Sequence, residues 1–178
     1  EYLDLTKEAA VEERIQNLQP DVIINCAAYT AVDKAEEDEE TAKKINSDAP
    51  GYLAKAAKKT GAVLVHVSTD YVFDGEKTSP YEEGDTPNPQ SAYGRTKLLG
   101  EQQVQKEMTK YFIIRTAWLY GDGNNFVRTM LRLSKTMDEL KVVSDQFGAP
   151  TYTIELAKMI LYLITTEKYG IYHGTCQG

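Results

Sequence analysis

Ala62-Val63-Leu64-Val65-His66-Val67, with Ser68-Thr69-Asp70 directly behind it, is the stretch that decides the fold. It is rich in β-branched residues and shows no polar alternation, the pattern of a strand buried on both faces of a parallel sheet. His66 inside it reads as a core residue and not as a catalytic base. Asp21-Val22-Ile23-Ile24-Asn25-Cys26-Ala27-Ala28 upstream and Tyr111-Phe112-Ile113-Ile114-Arg115 downstream have the same character.

Helical patterns lie between these runs. Residues 7–18 space Ala10, Val11, Ile15 and Leu18 on one face, and Pro20 stops that helix. Further helices are expected around 36–46 and at 49–60, the latter closed by Gly61, then from Tyr93 to about Lys106. Another runs from Asn125 to about Thr136, with Phe126, Val127, Met130, Leu131 and Leu133 apolar, and a last one spans 153–166. Glu1-Tyr2-Leu3-Asp4-Leu5-Thr6 looks like the end of a strand running into a helix. Lys141-Val142-Val143 and Gly170-Ile171-Tyr172-His173 read as short strands. Alternation of strand and helix makes a doubly wound α/β parallel sheet the expected architecture.

The composition is that of a water-soluble globular chain: 178 residues, 42% hydrophobic and 26% charged. A net charge of −7 argues against nucleic acid or an anionic membrane as partner, since both select basic faces. The acidic run Glu36-Glu37-Asp38-Glu39-Glu40 is expected to be a solvated helix start, where carboxylates suit the positive end of the dipole. Cys26 and Cys176 form no metal-ligand pattern and read as buried or incidental thiols in a reducing compartment. No apolar run is long enough to span a membrane and no signal peptide opens the chain, so a cytoplasmic protein is expected.

In doubly wound sheets ligands collect at the carboxyl ends of the strands. Those ends carry Asn25 to Thr30, Ser68 to Asp70 and Thr116 to Tyr120. Ser91-Ala92-Tyr93-Gly94-Arg95-Thr96-Lys97 follows the second of them, across a loop at 74–90 whose length suggests function. Tyr93 and Lys97 stand four apart, on one face of a helix. A phenol beside an ammonium suits general acid catalysis at a carbonyl. The spacing alone is weak, because a chain with 12 tyrosines holds one such pair by chance.

Ser68-Thr69-Asp70-Tyr71-Val72-Phe73-Asp74-Gly75 and Tyr93-Gly94-Arg95-Thr96-Lys97, with Gly100-Glu101 behind, resemble the extended short-chain dehydrogenases. Within them the chain is most similar to the dTDP-4-dehydrorhamnose reductase family. Asn25 to Glu36, Arg115 to Gly121, Asn125-Phe126 and Gln146-Phe147-Gly148-Ala149-Pro150-Thr151 extend the resemblance over nearly the whole chain, in order. It implies an oxidoreductase using NADPH or NADH on a dTDP-sugar, in the dTDP-rhamnose pathway. Residues 1–120 would be an incomplete Rossmann-like cofactor domain, and 121–178 part of a substrate lobe whose helix 153–166 packs back on the core. Tyr93 would protonate the C4 oxygen, Lys97 would hold the nicotinamide ribose and lower the Tyr93 pKa, and Thr69 would bond the reacting carbonyl. Asn25, Cys26, Ala27, Ala28, Tyr29 and Ser68 would line the cofactor. Thr30, Val32, Asp70, Val72, Phe73, Trp118, Asn125, Gln146 and Thr151 would contact the substrate.

Two departures from the pattern matter. The related 4,6-dehydratases place a Glu after the Thr-Asp pair; Tyr71 stands here, so elimination lacks its acid and reduction is preferred. No Gly-x-Gly-x-x-Gly turn occurs in this sequence. Family members carry that turn ahead of the point where this chain starts, so an internal piece of a longer protein is expected. The resemblance also allows a homodimer. Some relatives hold magnesium at a dimer interface through a Glu in the position of Glu155, but no metal is predicted here. Two alternatives stay open: a non-catalytic subunit of the same fold, like the methionine adenosyltransferase beta subunit, or another sugar-nucleotide reductase or epimerase.

Overall fold

The computed structural model describes residues 2–177. Glu1, part of the expected leading strand, lies outside them, and residues 2–6 form no strand. They turn instead: the Asp4 carboxylate accepts the Thr6 backbone N–H at 3.0 Å and its hydroxyl at 2.7 Å. Helix α1 (Glu8–Leu18) follows and ends at Gln19, which takes a left-handed conformation before Pro20. Strand β1 (Val22–Asn25) comes next.

The expected helix at 36–46 is longer and broken. It comprises α2 (Val32–Glu37), α3 (Glu39–Lys43) and a π turn (Lys44–Asp48) that runs directly into α4 (Ala49–Thr60). Asp38 breaks the first two and caps α3, accepting the Thr41 N–H. Pro50 accounts for the π turn, because it has no N–H to return to the Asn46 carbonyl four residues back. Gly61, at φ 80°, closes α4.

Strand β2 (Val63–Thr69) extends two residues further than expected, through Ser68 and Thr69. A 3-10 turn (Asp70–Val72) and the long loop lead to helix α5 (Ala92–Glu107) and strand β3 (Tyr111–Thr116). Then come β4 (Leu119–Tyr120), α6 (Phe126–Leu133), β5 (Thr151–Tyr152), α7 (Thr153–Leu163) and β6 (Gly170–His173). Lys141–Val143 forms no strand: Val142 and Val143 are exposed and meet no neighbouring strand. The apolar side expected for α6 likewise buries no residue, with Phe126 and Leu131 exposed.

The main sheet runs β1-β2-β3-β6, every pair parallel, as the buried apolar runs imply. Alternate residues of β2 face opposite layers. On one side Leu64 and Ile113 pack with Leu53, Ala54 and Ala57 of α4 and Val104 of α5, with Val11 and Ile15 of α1 behind. On the other, Val65, Phe112 and Ile114 meet Leu156, Ile160 and Leu163 of α7. β4 and β5 form a separate parallel pair beyond the carboxyl edge. The layers thus leave one edge free for chemistry, the carboxyl ends of β1, β2 and β3.

Candidate active site

Helix α5 carries the central residues, and its placement explains the small residues in its sequence. Ser91 caps it, accepting the Gly94 N–H at 3.1 Å. Glu36 supplies a second cap from α2, accepting the Ala92 N–H at 2.6 Å. Arg95 then pairs with Glu39, through Nε at 3.2 Å and Nη2 at 3.0 Å. The acidic run is therefore not merely solvated; it docks on the start of α5. A Cβ at Gly94 would lie 2.2 Å from the Tyr71 carbonyl oxygen, and one at Gly100 would lie 2.1 Å from that of Asn46. Only glycine lets α5 come this close to the 3-10 turn and the π turn.

Tyr93, Thr69, Asp70 and Lys97 come together at the head of α5. The Thr69 hydroxyl donates to Asp70 Oδ1 at 3.0 Å and accepts the Tyr71 N–H at 3.2 Å. Burial pushes the Tyr93 phenol above its usual range, while a hydrogen bond with Thr69 pulls it partly back. Burial also raises the Asp70 carboxyl, with the Thr69 bond opposing. Lys97 is 1% exposed, and its Nζ donates to the Val67 carbonyl at 2.7 Å. Burial lowers its pKa to about 8, with Glu101 and Cys26 acting in the opposite direction. The ammonium points at the strand and not at the phenol, so lowering of the Tyr93 pKa by Lys97 is not seen in this arrangement.

These groups open into a cleft of about 280 Å³ whose walls include Cys26, Ala28, Thr30, Val32, Ser68, Thr69, Asp70, Tyr93, Lys97 and Trp118. Thr116, Ala117 and Leu119, from the third strand end, line it as well, as do Val67 and Tyr71, to which the resemblance assigned no contact. Tyr71 is the informative addition: its ring meets the Tyr93 ring edge-on at 5.5 Å. A groove of about 340 Å³ between Lys58 and Lys110 is larger, but it lies at the amino ends of β2 and β3, away from the strand ends where ligands collect. Cys26 is exposed, contrary to a buried thiol, and it is free.

Trp118 adopts φ 47°, a left-handed conformation unusual for a bulky residue. This turn starts the β4–β5 pairing, with the Trp118 carbonyl accepting the Thr151 N–H at 3.1 Å. It also lays the indole against Gly148, where a Cβ would sit 2.9 Å from Cζ2. The 146–151 loop and Trp118 thus meet, although Gln146 is exposed and Thr151 is buried behind the cleft wall.

Other expected contacts fall outside the cleft. Asn25 Nδ2 donates to His66 Nδ1 at 3.1 Å, and its Oδ1 accepts the Ala27 N–H at 3.1 Å. His66 is accordingly the neutral Nε2–H tautomer, with burial holding its pKa well below normal. Tyr29 is held through its backbone by Asn46, whose amide also reaches Thr96 Oγ1 at 3.1 Å. Val72 is buried, and Phe73 stacks on Tyr81 at 4.3 Å beneath the long loop. Asn125 spends its amide capping α6, accepting from Arg128 N and donating to Gly121 O.

A buried polar network behind the cleft was also not anticipated from spacing. Glu101 accepts the Ser68 hydroxyl at 2.6 Å and pairs with Arg115 at 2.7 Å. The Arg115 guanidinium lies 5.1 Å over the Phe73 ring. Among the described residues no cluster of His, Cys, Asp and Glu could hold a metal ion. None of the described helices is long and apolar enough to cross a membrane.

The comparisons with known proteins agree with this fold. The family profile of the RmlD substrate binding domain matches residues 1–178. A dTDP-4-dehydrorhamnose reductase of Salmonella typhimurium is 46% identical, over 98% of this chain and 60% of its own length. The crystal structure of a dTDP-4-dehydrorhamnose reductase from Clostridium acetobutylicum is 56% identical, with TM-score 0.97 over 99% of this chain and 63% of that one. The Bacillus anthracis dTDP-4-dehydrorhamnose reductase, solved in complex with NADP, is 47% identical at TM-score 0.96, over 99% of this chain and 63% of that one. The chain thus spans about three fifths of the length of these relatives.

Proposed function

The chain belongs to the RmlD substrate-binding-domain family, and on that footing we propose that the protein reduces the C4 ketone of dTDP-4-dehydrorhamnose to give dTDP-rhamnose. The supporting observation is the convergence of Thr69, Tyr93 and Lys97 in one cleft at the strand ends. The matching relatives named as dTDP-4-dehydrorhamnose reductases favour this reading over a non-catalytic subunit.

A reduced nicotinamide, NADPH or NADH, supplies the hydride when bound. The residues present fit such a group. Ala28 and Cys26 leave room for close approach, and Lys97 Nζ uses only one of its three N–H bonds, on Val67. Lys97 would hold the ribose hydroxyls with the other two. Thr69 would turn its hydroxyl from Asp70 to the substrate carbonyl, polarising it. Tyr93 would then deliver its proton to the C4 oxygen as the C4–H bond forms, leaving a C4 hydroxyl and a phenolate. A phenol kept above its usual pKa stays protonated, and so ready to donate, through the neutral range. Trp118 and Tyr71 would flank the sugar. The same reading implies a cytoplasmic enzyme able to pair with a second copy.

The direct test is oxidation of NADPH by the complete protein on addition of dTDP-4-dehydrorhamnose, with dTDP-rhamnose identified as product. Oxidation with other 4-keto sugar nucleotides but not this one would reassign the substrate. No oxidation with any of them would overturn the reductase reading.

A further inference from the structure

Glu101 lies one helical turn beyond Lys97 on α5 and is fully buried. Its carboxylate accepts the Ser68 hydroxyl at 2.6 Å, Arg115 Nε at 3.0 Å and Arg115 Nη2 at 2.7 Å. Ser68 and Arg115 are register partners on β2 and β3, so a single carboxylate ties two strand ends to one turn of helix. Lys97 grips the preceding residue, with its Nζ on the Val67 carbonyl. Two side chains a turn apart therefore hold Val67 and Ser68, the pair that leads into Thr69. A buried ion pair is a poor device for stability, since removing its charges from water costs about as much as pairing returns. Its position on the catalytic helix suggests another use.

We propose that Glu101, with Arg115 as its counter-ion, is a positioning residue: it locks the 97–101 turn of α5 against Val67–Ser68, setting the Tyr93–Thr69 geometry and keeping Lys97 charged. The inference rests on the reductase reading of the cleft. The groups that face Lys97 come from several elements. Glu101 is on α5, Cys26 lies after β1, His66 is on β2, and Arg115 of β3 acts behind Glu101. Partial burial raises the Cys26 thiol above its usual range and full burial holds the His66 ring neutral, so Glu101 is the main negative charge acting on the ammonium, with Cys26 second. Asp70 accepts the Thr69 hydroxyl and acts on Tyr93.

The test uses the complete protein and two variants. Glu101→Gln with Arg115→Met removes both charges together, so no guanidinium is left buried alone. Lys97 titration is followed by NMR in the absence of substrate, and kcat and KM are measured across pH. The double variant should titrate Lys97 at lower pH, and the alkaline limb of kcat should move down with it by about one pH unit, a tenfold change in proton affinity. Ser68→Ala removes a hydroxyl but no charge; it should lower kcat several-fold with the alkaline limb unmoved. A folded double variant with wild-type Lys97 titration overturns the charge role, and wild-type kcat in Ser68→Ala overturns the clamp. Should the double variant fail to fold, Ser68→Ala still decides the positioning claim. Because the NMR titration needs no turnover, it reports on Glu101 even if the sugar proves not to be the substrate.

Discussion

Lys97 is buried in the site at a cost to its charged form. Its ordinary pKa of 10.5 falls to about 8 on burial, so the charged form is penalised in the folded state. Between about pH 8 and pH 10 the unfolded chain binds more protons at this residue than the folded one does. Stability from this residue therefore rises with pH across that window, by up to ~3 kcal/mol. Urea denaturation should show the rise in the native sequence and lose it in Lys97→Met. An unchanged rise in the variant would mean that Lys97 is not the group responsible. Activity should move the opposite way, falling above about pH 8 as the ammonium proposed to hold the ribose is lost. A site residue that costs stability while serving chemistry is the expected trade.

At the scale of elements, the contact of α5 with the π turn is the feature most sensitive to volume. Gly100→Ala improves helix propensity by about 1 kcal/mol in isolation. Here the new methyl would meet the Asn46 carbonyl, a backbone atom that cannot swing aside. A net loss of roughly 1–3 kcal/mol in chemical denaturation is expected; a gain would show that α5 slides freely. The 74–90 loop is held differently. Asp74 accepts from Tyr81 Oη at 2.6 Å, Asn88 Nδ2 at 3.0 Å and the Glu76 N–H at 3.1 Å. The Tyr81 bond first, then Asn88, lowers its pKa from 3.8 to about 2. A depressed carboxylate contributes order above pH 3.8 and loses it as pH falls toward 2. Lys77 pairs with Asp85 in the same loop. Asp74→Ala should speed proteolytic nicking within 74–90 at neutral pH while the melting of the sheet changes little. Equal nicking in both proteins would show that another contact holds the loop.

Across the whole molecule, the fold was legible because its strands are contiguous apolar runs, which only a sheet covered on both faces can bury. Of the expected site residues, Thr69, Asp70, Tyr93, Lys97 and Trp118 share one cleft, where polar chemistry meets the strand ends. What escaped was long-range or local in ways that spacing does not record. Glu36 reaches Ala92 across 56 positions, and Ser68 reaches Glu101 across 33. The π turn leaves a single trace, Pro50. Lys141–Val143 has strand-like residues but no neighbour to pair with, and the side chain of Asn125, expected to contact substrate, caps α6 in this structure. The central claim, that Tyr93 is the proton donor of a sugar-ketone reduction, is tested most directly by one rate. In the complete protein, Tyr93→Phe should lower kcat for NADPH-dependent reduction of dTDP-4-dehydrorhamnose by about 100-fold or more. The melting temperature should stay close to the native value, since the ring and its contact with Tyr71 remain. A folded variant that keeps a tenth or more of the native rate would contradict the account.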